Sequence, residues 1–310
     1  VDYAQIIKEV GRGKNHARDI SAELAETLFS DMLAGRIPEL ELGGILIALR
    51  IKGESEQEML GFYRSMQQRS ASLKLPTGMP MPIVIPSYNG ARKQANLTPL
   101  LAMLLAREGV PVLVHGVSQD PNRVTSAEIF QALGVAPTCD LQNIDWKTGK
   151  PVFIGVEHLA PEMHQVLSLR WRMGVRNSAH TLIKMINPFV GDALRIASVS
   201  HPEYIQRMAR LFNQTLSTAL LLHGTEGEAY ANPLRCPQMH LCREGEMSTL
   251  VTREMGEGDK PELAEAKTIE ETVRWTKRYL CGELPIPLSI KLQVDACLNV
   301  VSEGKKGTRN

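Results

Sequence analysis

Three consecutive stretches constrain this chain most. Ile83-Val84-Ile85 is a short β-branched apolar run, the kind that makes a buried strand. Asn96 to Arg107 is strongly apolar (Leu97, Leu100, Leu101, Met103, Leu104, Leu105) and long enough for a helix, with Gly109 behind it as a stop. Val110 to Val114 is a second strand-like run, leading into His115-Gly116. Strand, loop, helix and strand make a βαβ unit. Its first loop, Pro86 to Lys93, lies at the carboxyl end of a strand, where open α/β sheets bind ligands. A loop that cradles a small phosphate is glycine-rich, so that bare N–H groups can approach the anion. Here only Gly90 remains, beside bulky Tyr88 and the cations Arg92 and Lys93. The composition suits an anion, but not a closely cradled small phosphate.

Residues 1–70 read as helix throughout. Ser21 suits an N-cap, with Glu23 in the first turn and Leu24, Leu28, Phe29, Met32 and Leu33 supplying an apolar stripe. Leu40 to Ile51 is nearly continuous in apolar residues and contains Gly43-Gly44, which suggests close approach of another helix. Ser55-Glu56-Gln57-Glu58 reads as a capping box opening a further helix. These apolar faces exceed what a 70-residue unit can bury alone, so the unit is expected to pack on the rest of the chain and on a second copy of itself, as in a dimer. Pro76, Gly78, Pro80 and Pro82 mark a hinge. Further strands are expected at 152–156, 194–199, 216–223, 239–243 and 249–252, mostly separated by helices, with a helical return segment over 158–185. The fold class is therefore α/β: a small all-helical domain (1–75 with the return segment) joined by hinge segments to a large α/β domain (80–157 and 186–310) with a mostly parallel central sheet. The tail from Gly304 to Asn310 is polar, basic and expected to fray.

No apolar run reaches the length of a membrane span, and the N-terminal stretch lacks signal-peptide character. Five scattered cysteines fit reduced thiols, so a cytoplasmic protein with no membrane partner is expected. Cys236, His240 and Cys242 supply only three ligands at a spacing unlike known zinc patterns, and a structural role is the better reading. No metal and no cofactor is implied. The net charge of +1 hides a segregation. Residues 163–212 hold seven bases against two acids, a net +5, whereas 243–271 hold nine acids against four bases, a net −5.

Four motifs resemble the anthranilate phosphoribosyltransferase family, which has a nucleoside phosphorylase-type fold. They are Leu49-Arg50-Ile51-Lys52-Gly53-Glu54, His115-Gly116 followed by Gly134, Gly174-Val175-Arg176-Asn177 running to Asn187-Pro188, and His223-Gly224. The resemblance covers nearly the whole chain and implies catalysis in a cleft between the domains and a homodimer through the helical domain. The family's Gly-Thr-Gly-Gly-Asp loop, which holds the pyrophosphate of phosphoribosyl pyrophosphate, falls on Pro86-Ser87-Tyr88-Asn89-Gly90. Its Lys-His-Gly-Asn-Arg motif falls on Val114-His115-Gly116-Val117-Ser118, and its magnesium-holding Asp-Glu pair on Glu228-Ala229. Losing glycines, cations and an acid together removes the positioning and electrostatic effects that speed such transfers.

The resemblance is nearest to a paralogous branch that keeps the fold, lacks the transferase activity and binds nucleic acid. The expectation is therefore sequence-tolerant binding of DNA or RNA through a basic inter-domain cleft, with no catalytic residues and salt-dependent phosphate contacts. Arg92, Lys93, Arg123, Arg170, Arg172, Arg176, Lys184, Arg207 and Arg210 are the candidate contacts. Tyr88, Asn89, His115, Trp171 and His223 are candidates for lining the cleft. Tyr88 and Trp171 offer rings on which a base can stack, or, as loop aromatics more often do, pack on their own domain. The alternative is a phosphoribosyltransferase or nucleoside phosphorylase acting on an unidentified base, with Glu228 and His223 carrying the remaining work. A third reading has the acidic 243–271 segment recruiting a protein partner.

Overall fold

A computed structural model describes residues 1–13, 15–256 and 268–307. In chain order the elements begin with helices α1 (Tyr3–Val10), α2 (Ala22–Leu33), α3 (Glu39–Lys52) and α4 (Glu56–Gln68). Strand β1 (Ile83–Ser87), α5 (Thr98–Arg107), β2 (Val112–Gly116), α6 (Ser126–Ala132) and β3 (Val152–Gly155) follow. Four short helices come next: α7 (Val156–Leu159), α8 (Pro161–Ser168), α9 (Arg170–Met173) and α10 (Ala179–Leu182). The chain ends with β4 (Leu194–Val199), α11 (Tyr204–Gln214), β5 (Ala219–His223), β6 (Met239–Arg243), β7 (Glu246–Val251), α12 (Ile269–Leu280) and α13 (Leu288–Gly307). Val1–Ala71 and Val156–Pro188 form one compact unit, Ser72–Gly155 and Phe189 onward a second. Among the described residues, no helix is long and apolar enough to cross a membrane.

Local chemistry explains the helical unit. The Ser21 hydroxyl accepts from Leu24 N, and the Ser55/Glu58 capping box is complete, with the Glu58 carboxylate accepting from Ser55 N at 2.7 Å. Glu58 is fully buried and also meets Lys52 Nζ at 2.7 Å, while Lys52 reaches Asp19 at 2.5 Å. Burial pulls the Lys52 ammonium down, but its bonds to Asp19 and Glu58 outweigh this and leave it above the ordinary lysine value. Phe29 and Phe62 stack at 5.0 Å where α2 meets α4. The close backbone approach expected at Gly43-Gly44 occurs instead at Gly61. A Cβ there would lie 2.2 Å from Ala22 O, whereas one on Gly44 would meet only the Ile7 side chain at 3.3 Å, and one on Gly43 nothing.

The second unit is built on a seven-stranded sheet in the order β3-β2-β1-β4-β5-β6-β7. The first five strands run parallel, and β6 and β7 are antiparallel additions. β1, β2 and β4 are buried at every position, as the continuous apolar runs required of strands covered on both faces. One base counted in the +5 segment, Arg195, is among them: it is buried on β4 with its guanidinium 5.8 Å from the Phe212 ring centroid. Linear charge counts overstate surface charge there. Four acids of the 243–271 stretch (Glu257, Asp259, Glu262, Glu265) and the tail residues 308–310 lie outside the described residues.

Candidate anion-binding site

The loop after β1 is organised by carboxylates. Glu228, fully buried, receives the main-chain N–H groups of Asn89 (2.8 Å) and Gly90 (2.9 Å) on Oε1. Its Oε2 receives the hydroxyls of Ser87 (2.6 Å) and Thr98 (3.0 Å). Ser87 Oγ also lies 2.7 Å from Ser126 Oγ, which takes a bond from Asn96 Nδ2. Ser87 has a single hydrogen to give, so with it on the carboxylate Ser126 donates to Ser87. Four donors thus meet two acceptor oxygens, with a further polar chain behind them.

A second carboxylate serves the outer half of the loop. Glu226 accepts the consecutive main-chain N–H groups of Arg92 (3.2 Å), Lys93 (2.9 Å) and Gln94 (3.3 Å). Such a row of N–H groups makes an anion-binding concavity. Both glutamates come from the turn Thr225-Glu226-Gly227-Glu228, closed by Thr225 N to Glu228 O at 3.1 Å and the reverse bond at 2.9 Å. Its central residues have φ of 53° and 86°, the pattern of a type I′ turn. Gly227 is required twice over: its φ is positive, and a Cβ would sit 1.7 Å from Asn89 Nδ2.

Beneath the loop, Tyr88 Oη and His115 Nδ1 are 2.7 Å apart and their rings meet edge-on. His115 is fully buried, which lowers its pKa to about 3. Its Nε2 has no hydrogen-bond partner among the described residues, and neither do Asn89 Oδ1 and Gln94 Oε1.

The structure brings some of the expected residues together. Arg92 and Lys93 are exposed on the loop, and Arg123 Nη1 reaches Gly90 O at 3.5 Å. In the helical unit, Arg176, Arg170 and Lys184 surround His180, and burial together with these cations holds its imidazole at about 3. Arg172 makes two hydrogen bonds with exposed Glu39, at 2.9 and 3.2 Å, and Arg170 lies 4.1 Å over the exposed Trp171 ring. Arg207 and Arg210 are on α11, which packs against β5, β6 and β7. His223 is exposed and engages Ser200 O at 2.9 Å, while Tyr88 and Asn89 are buried. A stacking role for Tyr88 is thus replaced by a packing one, because its hydroxyl is drawn in to His115. Glu228, read as a remnant metal ligand, is instead an internal acceptor of four bonds. Glu226 escaped notice altogether; the only signal was a Glu-Gly dipeptide just past a strand end, a two-residue turn pattern.

Cys236, His240 and Cys242 do not assemble. His240 Nδ1 faces Thr249 Oγ1 at 3.1 Å, and burial pushes the Cys242 thiol up to about 11. Among the described residues, no group of three or more metal-ligating side chains occurs.

Residues 4–70 match the helical bundle domain of the glycosyl transferase family. The sequence is 54% identical over 306 residues to the uncharacterized protein YbiB of Escherichia coli (strain K12), covering 98% of this chain and 95% of the relative. Anthranilate phosphoribosyltransferase of Thermus thermophilus is 26% identical over 294 residues, 92% of this chain and 86% of that enzyme. A crystal structure of the Thermus thermophilus enzyme shares the fold with a TM-score of 0.76 at 23% identity, over 96% of this chain and 89% of that one. The Saccharomyces cerevisiae enzyme in complex with PRPP and Mg gives 0.72 at 15% identity, over 97% and 89%. These relatives overturn the expectation of nucleic-acid binding, since those named for an activity are phosphoribosyltransferases. Side-chain identities misled because the groups that donate in this loop are main-chain N–H groups.

Proposed function

Since the chain belongs to the anthranilate phosphoribosyltransferase-like family, we propose that it transfers a ribosyl phosphate group from a phosphoribosyl diphosphate to a nitrogen of a base not yet identified. The observation that carries this reading is the loop after β1, whose five main-chain N–H groups at Asn89, Gly90, Arg92, Lys93 and Gln94 all point at carboxylate oxygens. Transfer of this kind breaks the bond from ribose C1 to the diphosphate oxygen and forms one from C1 to nitrogen, and the proton the nitrogen loses passes to solvent. Charge then grows on the departing diphosphate, and fixed N–H donors with flanking cations such as Arg92 and Lys93 stabilise it without reorganising.

The donor set does not suit magnesium. Magnesium wants carboxylate oxygens open to it in near-octahedral array, whereas Glu228 and Glu226 already accept four and three hydrogen bonds. No step is therefore routed through a metal. Isothermal titration with phosphoribosyl pyrophosphate is expected to give saturable heat with a dissociation constant between about 1 μM and 1 mM. Pyrophosphate release should follow when an aromatic amine or nucleobase from a panel is added. Absence of heat, with or without magnesium, would sink the proposal.

The same reading includes a homodimer through the helical unit. Along α3, Leu40 (85% exposed), Ile47 and Ile51 (62%) lie seven and four residues apart, on one face, while Ile45, Leu46 and Leu49 are buried. A helix apolar all round needs cover on both sides. Light scattering should report a dimer, and the L40E/I51E double variant a monomer with an unchanged circular-dichroism spectrum. A monomeric wild type removes this part.

A further inference from the structure

We infer that the Glu226 carboxylate is an intramolecular stand-in for a phosphate group, closing the main-chain site of Arg92, Lys93 and Gln94 until a phosphate-bearing ligand displaces it. This rests on the reading of the loop as the substrate's diphosphate site, and adds what holds the site when substrate is absent.

Three features separate Glu226 from its neighbour. Glu228 is fully buried under four bonds of 2.6–3.0 Å, whereas Glu226 is partly exposed and its three bonds run from 2.9 to 3.3 Å. One is a fixture; the other is poised to leave. Secondly, two of the three residues whose main-chain N–H groups it accepts, Arg92 and Lys93, carry exposed cationic side chains, so an incoming anion meets positive charge on the loop that Glu226 closes. Thirdly, two acceptors on the same loop lack a donor among the described residues. Asn89 Oδ1, on a side chain only 5% exposed and wedged against Gly227, has no partner among the described residues, and neither has Gln94 Oε1. A carboxylate brings no hydrogen and cannot satisfy them, whereas the hydroxyls of a ribosyl phosphate can. The exchange is thus one anion for another, with two orphaned acceptors served only by the incoming ligand. The two central residues of the turn, Glu226 and Gly227, are partly exposed.

The test is calorimetric titration of inorganic pyrophosphate into the wild type, Glu226→Asn and Glu226→Gln. Asparagine tolerates the left-handed backbone at this position but is shorter and uncharged. If the carboxylate holds the site nine-tenths of the time, its removal tightens apparent binding about tenfold. E226N should show that gain, and E226Q a smaller one. Amide hydrogen exchange at residues 92–94 should be faster in unliganded E226N than in the wild type, and slow again with pyrophosphate. Equal affinity in wild type and E226N overturns the inference, as does the absence of binding in all three folded proteins. Should E226N fail to fold, E226Q decides alone, and an affinity no tighter than wild type overturns the inference. Tighter pyrophosphate binding without ribosyl transfer by any variant removes the proposed function and leaves this inference standing. Transfer by the wild type with unaltered affinity in E226N does the reverse.

Discussion

Exchanging Glu228 for alanine is expected to destabilise the second unit by about 3–5 kcal/mol, seen as a lower urea midpoint at unchanged slope. Two of the four donors it satisfies are main-chain N–H groups that cannot turn away, and the carboxylate is fully buried. A buried donor stripped of its partner costs about 1–3 kcal/mol, and water entering the gap recovers only part of the sum. Glu228→Gln should cost less, about 1–2 kcal/mol, because one oxygen remains an acceptor while the amide turns hydrogens toward donors. Trp146, buried against Phe189 at 5.3 Å in the same unit, provides the fluorescence signal. A stability within about 0.5 kcal/mol of wild type for E228A would mean the loop is held by other contacts. The experiment also separates two roles. A residue kept only as a metal ligand would leave metal-free stability unchanged, whereas an internal acceptor lowers it at once.

The sheet was legible because its strands are continuous apolar runs bounded by turns. All seven fall within three residues of the expected stretches; β5 starts three residues later than expected, and β7 (Glu246–Val251) three earlier than the 249–252 expected, because Glu246 and Ser248 give its start an exposed polar face instead of an apolar run. Caps were legible too, since Ser21 and Ser55 act through residues three positions on. The site was not, for a specific reason. Its chemistry is main-chain N–H against carboxylate, and main-chain donors leave no mark on residue identity. Reading Pro86-Ser87-Tyr88-Asn89-Gly90 by side chains suggested a dismantled anion loop, yet Asn89 and Gly90 still donate. The partner of that loop, 138 residues on, was invisible in linear order, and so was the burial of Arg195. Charge and glycine counts are one-dimensional, while anion sites are made by backbone geometry across the fold.

Acid should weaken the protein through His115, with the loss beginning below about pH 6.5. Unfolded, the imidazole takes a proton as pH falls through its ordinary value of 6.5; folded and fully buried, it refuses one until about 3. Between those values the unfolded state binds more protons, so stability falls as pH falls, and above about pH 7.5 this contribution is flat. At pH 4.5 His115 alone should have removed about 2–3 kcal/mol. His180, held at about 3 in the helical unit, acts in the same direction, so the effect must be isolated by difference. His115→Phe keeps a ring against Tyr88 but loses the 2.7 Å bond at every pH, a constant offset. The stability gap between wild type and H115F should therefore shrink by about 2–3 kcal/mol from pH 7.5 to 4.5, in urea titrations followed through Trp146. A gap that stays constant means the imidazole is reached by water and titrates normally. A neutral His115 also bears on the chemistry above it. It adds no positive charge to the loop, so whatever draws a diphosphate there must come from the three N–H groups that Glu226 covers and from the side chains of Arg92 and Lys93.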